Sequence, residues 1–153
     1  MAIYFLDSSA LAKHYISEAG SRWVSEILEP SAENRIYAAR IGAVEVMAAI
    51  MRRIRSGSIL PKEGGNTISR FRADFARAED VVEISPDLVA RALDIVEKHA
   101  LRGYDAVQLA AAITVHQSTS LIGIPTIFVS ADLELNAAAE AEGLRVENPE
   151  LHR

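Results

Sequence analysis

Four carboxylates in this 153-residue sequence stand where predicted strands give way to helices. Asp7 directly follows the apolar run Ile3-Tyr4-Phe5-Leu6, and Asp132 ends Ser130-Ala131-Asp132 just after the run Thr126-Ile127-Phe128-Val129. Asp105 opens a helix that is apolar nearly all round, and Glu45 lies one turn into another helix, just after a second strand. Sites in open parallel sheets form beyond the carboxyl ends of the strands, near the switch in strand order. All four acids can therefore converge on one edge of a sheet. Together they would repel, and some would take up protons unless positive charge were supplied. Hard oxygen ligands favour Mg²⁺ or Mn²⁺, and Mg²⁺ keeps several waters for a substrate. Metal-assisted hydrolysis of a phosphodiester is the reaction class this chemistry suits.

A structural role competes with that reading. Asp7, Asp105 and Asp132 each stand just before a predicted helix, where an aspartate N-cap contributes about 1 kcal/mol. Ser8 and Ser9 could cap the first helix without Asp7, however, and capping leaves Glu45 unexplained on an otherwise apolar helix face.

The elements that must position these residues follow from the apolar pattern. Residues 3–6 form a short continuous apolar run, the mark of a central strand buried on both faces. Further strands are expected at 35–38, 81–84, 126–129 and 144–146. Helices are expected at 10–16, 21–28, 41–55, 61–78, 85–99, 105–116 and 132–142. Pro61 suits a first helical turn, Ser85 suits an N-cap, and Gly64-Gly65 should loosen the turns they occupy. Alternation of strand and helix argues for a parallel sheet covered by helices on both faces. The length fits one domain over residues 1–153, with a helical pair at about 41–78 inserted between the second and third strands.

Composition narrows the options. The absence of cysteine excludes disulfides and thiolate metal sites. Residues 1–7 lack the pattern of a signal peptide, and no apolar run is long enough to span a bilayer, so a cytoplasmic protein without membrane contact is expected. A net charge of −5 counts against a generic nucleic-acid binder. The charge is uneven: residues 1–77 carry a net +3 and residues 78–153 a net −8. Two divalent ions would bring the total to −1, so part of the acidity is consistent with metal ligation.

Taken in order, these residues resemble the motifs of the PIN domain, and the chain is similar to VapC-type toxin ribonucleases. The opening motif is Phe5-Leu6-Asp7-Ser8-Ser9-Ala10-Leu11-Ala12-Lys13, followed by Ala43-Val44-Glu45-Val46. Arg102-Gly103-Tyr104-Asp105-Ala106-Val107-Gln108-Leu109-Ala110-Ala111 and Ser130-Ala131-Asp132 complete the set. The resemblance implies a three-layer α/β/α fold with a central parallel sheet of four to five strands. It also implies a Mg²⁺-dependent endoribonuclease, with Mn²⁺ able to substitute, paired with a cognate antitoxin and forming a homodimer. Asp7 and Asp105 would be the principal metal ligands, with Glu45 and Asp132 contributing directly or through water. Ser9 and Ser130 would support the site by hydrogen bonds. A non-catalytic module that holds metal or a partner is the alternative.

Other residues admit two readings. Lys13 could hold a phosphate near the metal, or be an exposed lysine without a specific role. Arg52, Arg53 and Arg55 suit the dipole at a helix C-terminus, and Arg70, Arg72 and Arg77 either assist RNA binding or form a solvated face. Trp23, Phe71 and Phe75 could line a groove for an antitoxin helix, or pack in the core. Glu134 and Asn136 are read as helix-surface residues. The four histidines show no metal-ligand spacing, and no Gly-rich phosphate loop or Ser/Cys nucleophile motif is present. A haloacid-dehalogenase-like phosphatase would need an aspartate where Ser9 stands. A response-regulator receiver would need an acidic pair after the first strand and an aspartate after the third.

Overall fold

The computed structural model describes residues 1–152. Five parallel strands form one sheet: β1 (Ile3–Leu6), β2 (Arg35–Ala39), β3 (Val81–Val82), β4 (Thr126–Val129) and β5 (Arg145–Glu147). Their spatial order is β3-β2-β1-β4-β5, so the chain leaves β1 toward one edge, then returns to β1's other side. The switch in order lies between β1 and β4, where Phe5 pairs with Phe128 and Leu6 with Val129. Seven helices accompany the strands: α1 (Ser8–Ala12), α2 (Ser21–Leu28), α3 (Gly42–Arg55), α4 (Pro61–Arg77), α5 (Pro86–Lys98), α6 (Gly103–Ser120) and α7 (Leu133–Ala141). The three-layer α/β/α arrangement expected from the alternation is the one observed.

Successive side chains of β1 point to opposite faces, and both faces are covered. Phe5 stacks on Phe128, ring centroids 6.0 Å apart, in a core shared with α5, α6 and α7. Leu6 faces the other way, toward Val129, Ala10 and the α2 residues Val24 and Ile27. A third cluster joins α1, α3 and α4 through Ala12, Ile16, Val46, Ile50 and Phe71. Residues of α6 are buried on several sides, among them Ala106, Leu109, Ala110, Ala111, Ala112 and Val115, which makes this helix the centre of its layer. The Cα of Gly42 packs beside buried Gln108 on α6, where an added Cβ would stand 2.9 Å from Nε2.

Several boundaries differ from the sequence expectation, each for a physical reason. The helix expected over 10–16 is α1 at Ser8–Ala12; beyond it the chain continues in i→i+3 turns, Lys13 N to Ala10 O and His14 N to Leu11 O. Asp7 itself is the N-cap, accepting from Ala10 N at 2.9 Å, while Ser8 and Ser9 lie inside the helix. The α6 helix starts at Gly103 rather than Asp105 and runs on to Ser120, because Thr119 still faces inward and bonds Thr126 at 2.8 Å. Strand β3 is only two residues long, and Ile84 is exposed. The buried face of α3 is Gly42, Val46 and Ile50, whereas Val44 and Ala48 point outward. Gly64 is a packing residue more than a loose point: a Cβ there would lie 2.4 Å from the Ile54 side chain, so glycine lets α4 close on α3.

The last segment, a 3-10 turn at Pro149–Leu151, is seated against the start of α2. Gly20 has φ +88°, and a Cβ there would meet the Pro149 carbonyl oxygen at 2.6 Å. Trp23 stacks flat on His152 with centroids 4.1 Å apart.

Candidate active site

Asp7 is carried to the carboxyl end of the central strand and is almost fully buried there, 3% exposed. Its Oδ1 accepts from Ala10 N at 2.9 Å and from Ser9 Oγ at 2.7 Å. Its Oδ2 accepts from Ser130 Oγ at 2.6 Å. With two lone pairs on each carboxylate oxygen, Oδ1 is fully used, and Oδ2 keeps one position for a further ligand. Burial pushes the Asp7 carboxyl up to about 6; the bonds from Ser130, Ser9 and Ala10 pull it down, and nearby Asp105 adds to the rise.

The two serines stitch β1 to β4. Ser9 Oγ accepts from Ala131 N at 3.1 Å, and Ser130 Oγ accepts from Asp132 N at 3.1 Å. Asp132 caps α7, its Oδ1 accepting from Leu135 N at 3.0 Å. Asp105 lies in the first turn of α6 and is not its N-cap; Arg102 holds that position. Burial raises the Asp105 pKa, and the charges of Asp132 and Glu45 raise it further, against a lowering by Arg102. Glu45, in the first turn of α3, accepts a hydrogen bond from Ser8 Oγ. Asp7, Glu45, Asp105 and Asp132 thus line one cleft of about 710 Å³.

Sequence reasoning missed two participants. Ser8 fixes Glu45, and the only hint in the sequence is its place beside Asp7. Asn136 is buried, 7% exposed, contrary to the expectation of a helix-surface residue. Its Nδ2 donates to Ser130 O at 2.8 Å. One turn beyond the Asp132 cap, Asn136 faces inward toward β4, a placement the helix period alone did not single out. Glu134 is exposed as read, although its charge also raises Asp105.

Lys13 is not the exposed lysine of the second reading. It is buried, its side chain 2% exposed, and it pairs with Glu18 at 3.0 Å and Glu150 at 3.1 Å. Arg53 pairs with the same Glu18 at 2.9 Å, and Lys13, Arg52, Arg53 and Arg102 all border the cleft. Arg55 does not border it. Of the other cations, Arg70 caps the His14 carbonyl at 3.1 Å and covers the Tyr15 ring, and Arg77 pairs with Asp74. Trp23, Phe71 and Phe75 do not form a common groove. Phe71 is core, Trp23 lies under His152, and Phe75 lines a second cleft with Leu28 and Ile36. The histidines bond separate partners, His14 with Ser25 and His99 with Glu142 for example.

Among the described residues, no three histidine or acidic side chains stand close enough together to form a ready-made metal cage. The donor chemistry nevertheless fits a hard divalent cation: oxygen ligands only, mutually repelling, with a vacant lone pair on Asp7 Oδ2. Ser130→Ala would remove the donor to that oxygen and the acceptor for Asp132 N together. Loss of a partner that orients a ligand costs about 10–100-fold; were Asp7 to hold such a cation, Ser130→Ala would lower its affinity, and any activity that depends on it, within that range while the fold persists. Metal titration by calorimetry should show a matching loss of affinity; unchanged affinity and activity would contradict the orienting role.

A parallel sheet in the order 3-2-1-4-5, with carboxylates gathered where β1 and β4 end, defines a class of acidic-site α/β domain. The family model described as PIN domain matches residues 4–141, and the chain belongs to that family. It is 31% identical over 147 residues to Ribonuclease VapC45 and to Ribonuclease VapC49, both from Mycobacterium tuberculosis, covering 95% of each chain. In structure it is similar to a toxin–antitoxin complex from Klebsiella pneumoniae, with TM-score 0.62 and 17% identity, over 97% of this chain and 98% of that one. At that identity the structural likeness speaks for the fold alone.

Proposed function

We propose that the chain is a Mg²⁺-dependent endoribonuclease, with Mn²⁺ able to substitute, and the toxin of a type II toxin–antitoxin pair. The observation that carries this reading is the convergence of Asp7, Glu45, Asp105 and Asp132, from four separate stretches of chain, in one cleft. The ribonuclease names of the M. tuberculosis relatives support the substrate class. The antitoxin partner is proposed by analogy with the K. pneumoniae toxin–antitoxin complex, whose fold this chain shares. Residues 1–153 act as one domain, in a homodimer, in the cytoplasm. Among the described residues no helix is long and apolar enough to cross a membrane.

Asp7 and Asp105 would hold the ion, with Glu45 and Asp132 contributing directly or through water. Such an ion supplies polarisation of a phosphoryl oxygen, a lowered pKa for water, and stabilisation of the departing oxygen. The chain's own residues do the rest. Ser9 and Ser130 fix both oxygens of Asp7, Ser8 fixes Glu45, and the Asn136 bond holds the Ser130 backbone in place. Lys13, neutralised by Glu18 and Glu150, supports the cleft wall in the free protein.

The test is incubation of purified protein with pooled cellular RNA, including tRNA and ribosomal RNA, in Mg²⁺, Mn²⁺ or chelator. Discrete cuts that vanish on chelation are the expected result. Cutting that survives chelation overturns the metal mechanism, and no cutting by folded, metal-loaded protein favours a non-catalytic module.

A further inference from the structure

The cations around the cleft fall into two groups. Lys13 and Arg53 are already engaged by Glu18 and Glu150. Arg52 and Arg102 are exposed and border the same cleft, and neither side chain has a hydrogen bond or ion pair among the described residues. We propose that Arg52 and Arg102 bind backbone phosphates on either side of the one to be cut, so that the cleft takes an RNA strand and not a mononucleotide. The inference rests on the ribonuclease reading above and names how that site holds its substrate.

The two arginines come from different walls. Glu45, Ala48, Ala49 and Arg52 all border the cleft, so one face of α3 runs along it. Seven residues of helix place Arg52 about 10 Å along the axis from Glu45. Arg102 is the N-cap of α6, three residues before Asp105, and its charge is felt there.

The helix dipole explains one arginine and not the other. A cation in the last turn of α3 is favoured by the helix dipole, and Arg52 shares that benefit with Arg53 and Arg55. A cation at a helix N-terminus meets the positive end of the dipole. Arg102 therefore gains nothing from the helix dipole; what favours a cation there is the nearby charge of Asp105. It forms no ion pair or hydrogen bond with that acid among the described residues, so its guanidinium is free to take a phosphate.

Charge balance points the same way. The floor of the cleft is four carboxylates, and the whole chain carries −5, so a polyanion gains nothing from the general field of the protein. Beyond the ion at the scissile phosphate, attraction for the flanking phosphates must come from unengaged cations at the cleft's borders. Contacts of this kind are sequence-independent and release counterions, which makes them visible as salt dependence.

The test uses a fluorescein-labelled single-stranded RNA of about ten nucleotides, long enough for several backbone contacts. Binding is followed by anisotropy at several KCl concentrations in Mg²⁺, with Asp7→Asn as the background so that the RNA stays uncut. Each of Arg52→Ala and Arg102→Ala is expected to weaken binding and to reduce the slope of log affinity against log salt by about 0.7. The double variant should lose about twice that. Arg55→Ala removes the same charge from the same helix end outside the cleft, and it should leave the slope unchanged. RNA that binds with the same slope in Arg52→Ala and Arg102→Ala, while the wild type cuts, overturns this inference and spares the ribonuclease reading. Equal slope losses in all three single variants also overturn it, since that result means a diffuse field and no contact. A wild type that neither binds nor cuts RNA takes down both.

Discussion

Asp7→Asn is expected to reduce RNA cleavage by on the order of 10³-fold, because the stabilisation of transition-state charge by a metal is worth several kcal/mol and each factor of ten is about 1.4 kcal/mol. Asparagine has nearly the shape of aspartate, so the fold should survive. Its amide oxygen can still accept from Ala10 N and Ser9 Oγ, as Asp7 Oδ1 does. Its amide nitrogen would face Ser130 Oγ, which can rotate to accept while continuing to accept from Asp132 N. What is lost is the negative charge and the free lone pair on Oδ2, the two properties a cation needs. Cleavage rates of wild type and variant, read beside their circular dichroism, decide the matter. Cutting that Asp7→Asn retains would mean a contaminating nuclease or a wrongly placed site.

The second large effect concerns stability without metal. The Asp7 carboxyl is held up to about 6 in the folded protein against an ordinary 3.8, mainly by burial. The folded state therefore binds this proton more tightly than the unfolded state does. Below pH 3.8 both states are protonated, and the group costs nothing. As pH rises toward 6 the unfolded state ionises first, and stability falls by on the order of 2–3 kcal/mol before levelling off. Asp105 is also raised and contributes with the same sign. Glu83 and Glu142, lowered by Arg40 and His99, act in the opposite direction. The comparison that isolates Asp7 is thus wild type against Asp7→Asn, by chemical denaturation in chelator near pH 4 and pH 7. Asp7→Asn should be the more stable protein at pH 7, with the advantage shrinking on acidification. Mg²⁺ or Mn²⁺ should restore stability to the wild type at pH 7 and do little for the variant. An Asp7→Asn protein less stable than wild type in chelator at pH 7 would show that the buried carboxylate is not a liability in the folded state.

These two expectations explain why the site is readable from its acids and yet costly to build. Four carboxylates contributed by separate stretches of chain do not stabilise a fold by their mutual contact. Asp7 and Asp132 cap helices as well, so part of their electrostatic cost is offset by satisfied backbone donors. The structural and chemical roles weighed against each other in the sequence are held by the same side chains.

Local pattern determined a great deal. The run at 3–6, the exact run at 126–129 and the capped helix after Ser85 follow from apolar period and cap chemistry, which act between near neighbours. The positions of Asp7, Glu45, Asp105 and Asp132 relative to strands and helices were legible for the same reason. Ends were less so: α1 gives way to i→i+3 turns after Ala12, and α6 runs past His116 with Thr119 turned inward onto Thr126. Only the tertiary structure decided which side chains touch across the chain. Lys13 looks like a surface lysine until Glu18 and Glu150, the latter 137 residues away, close over it. Asn136 looks like a helix-surface amide until α7 lies against β4 and gives it the Ser130 carbonyl. Ser8 has no visible task until α3 brings Glu45 to it. Residue type and spacing set what chemistry the chain can offer. Long-range packing, which no local window contains, sets which groups are free to offer it.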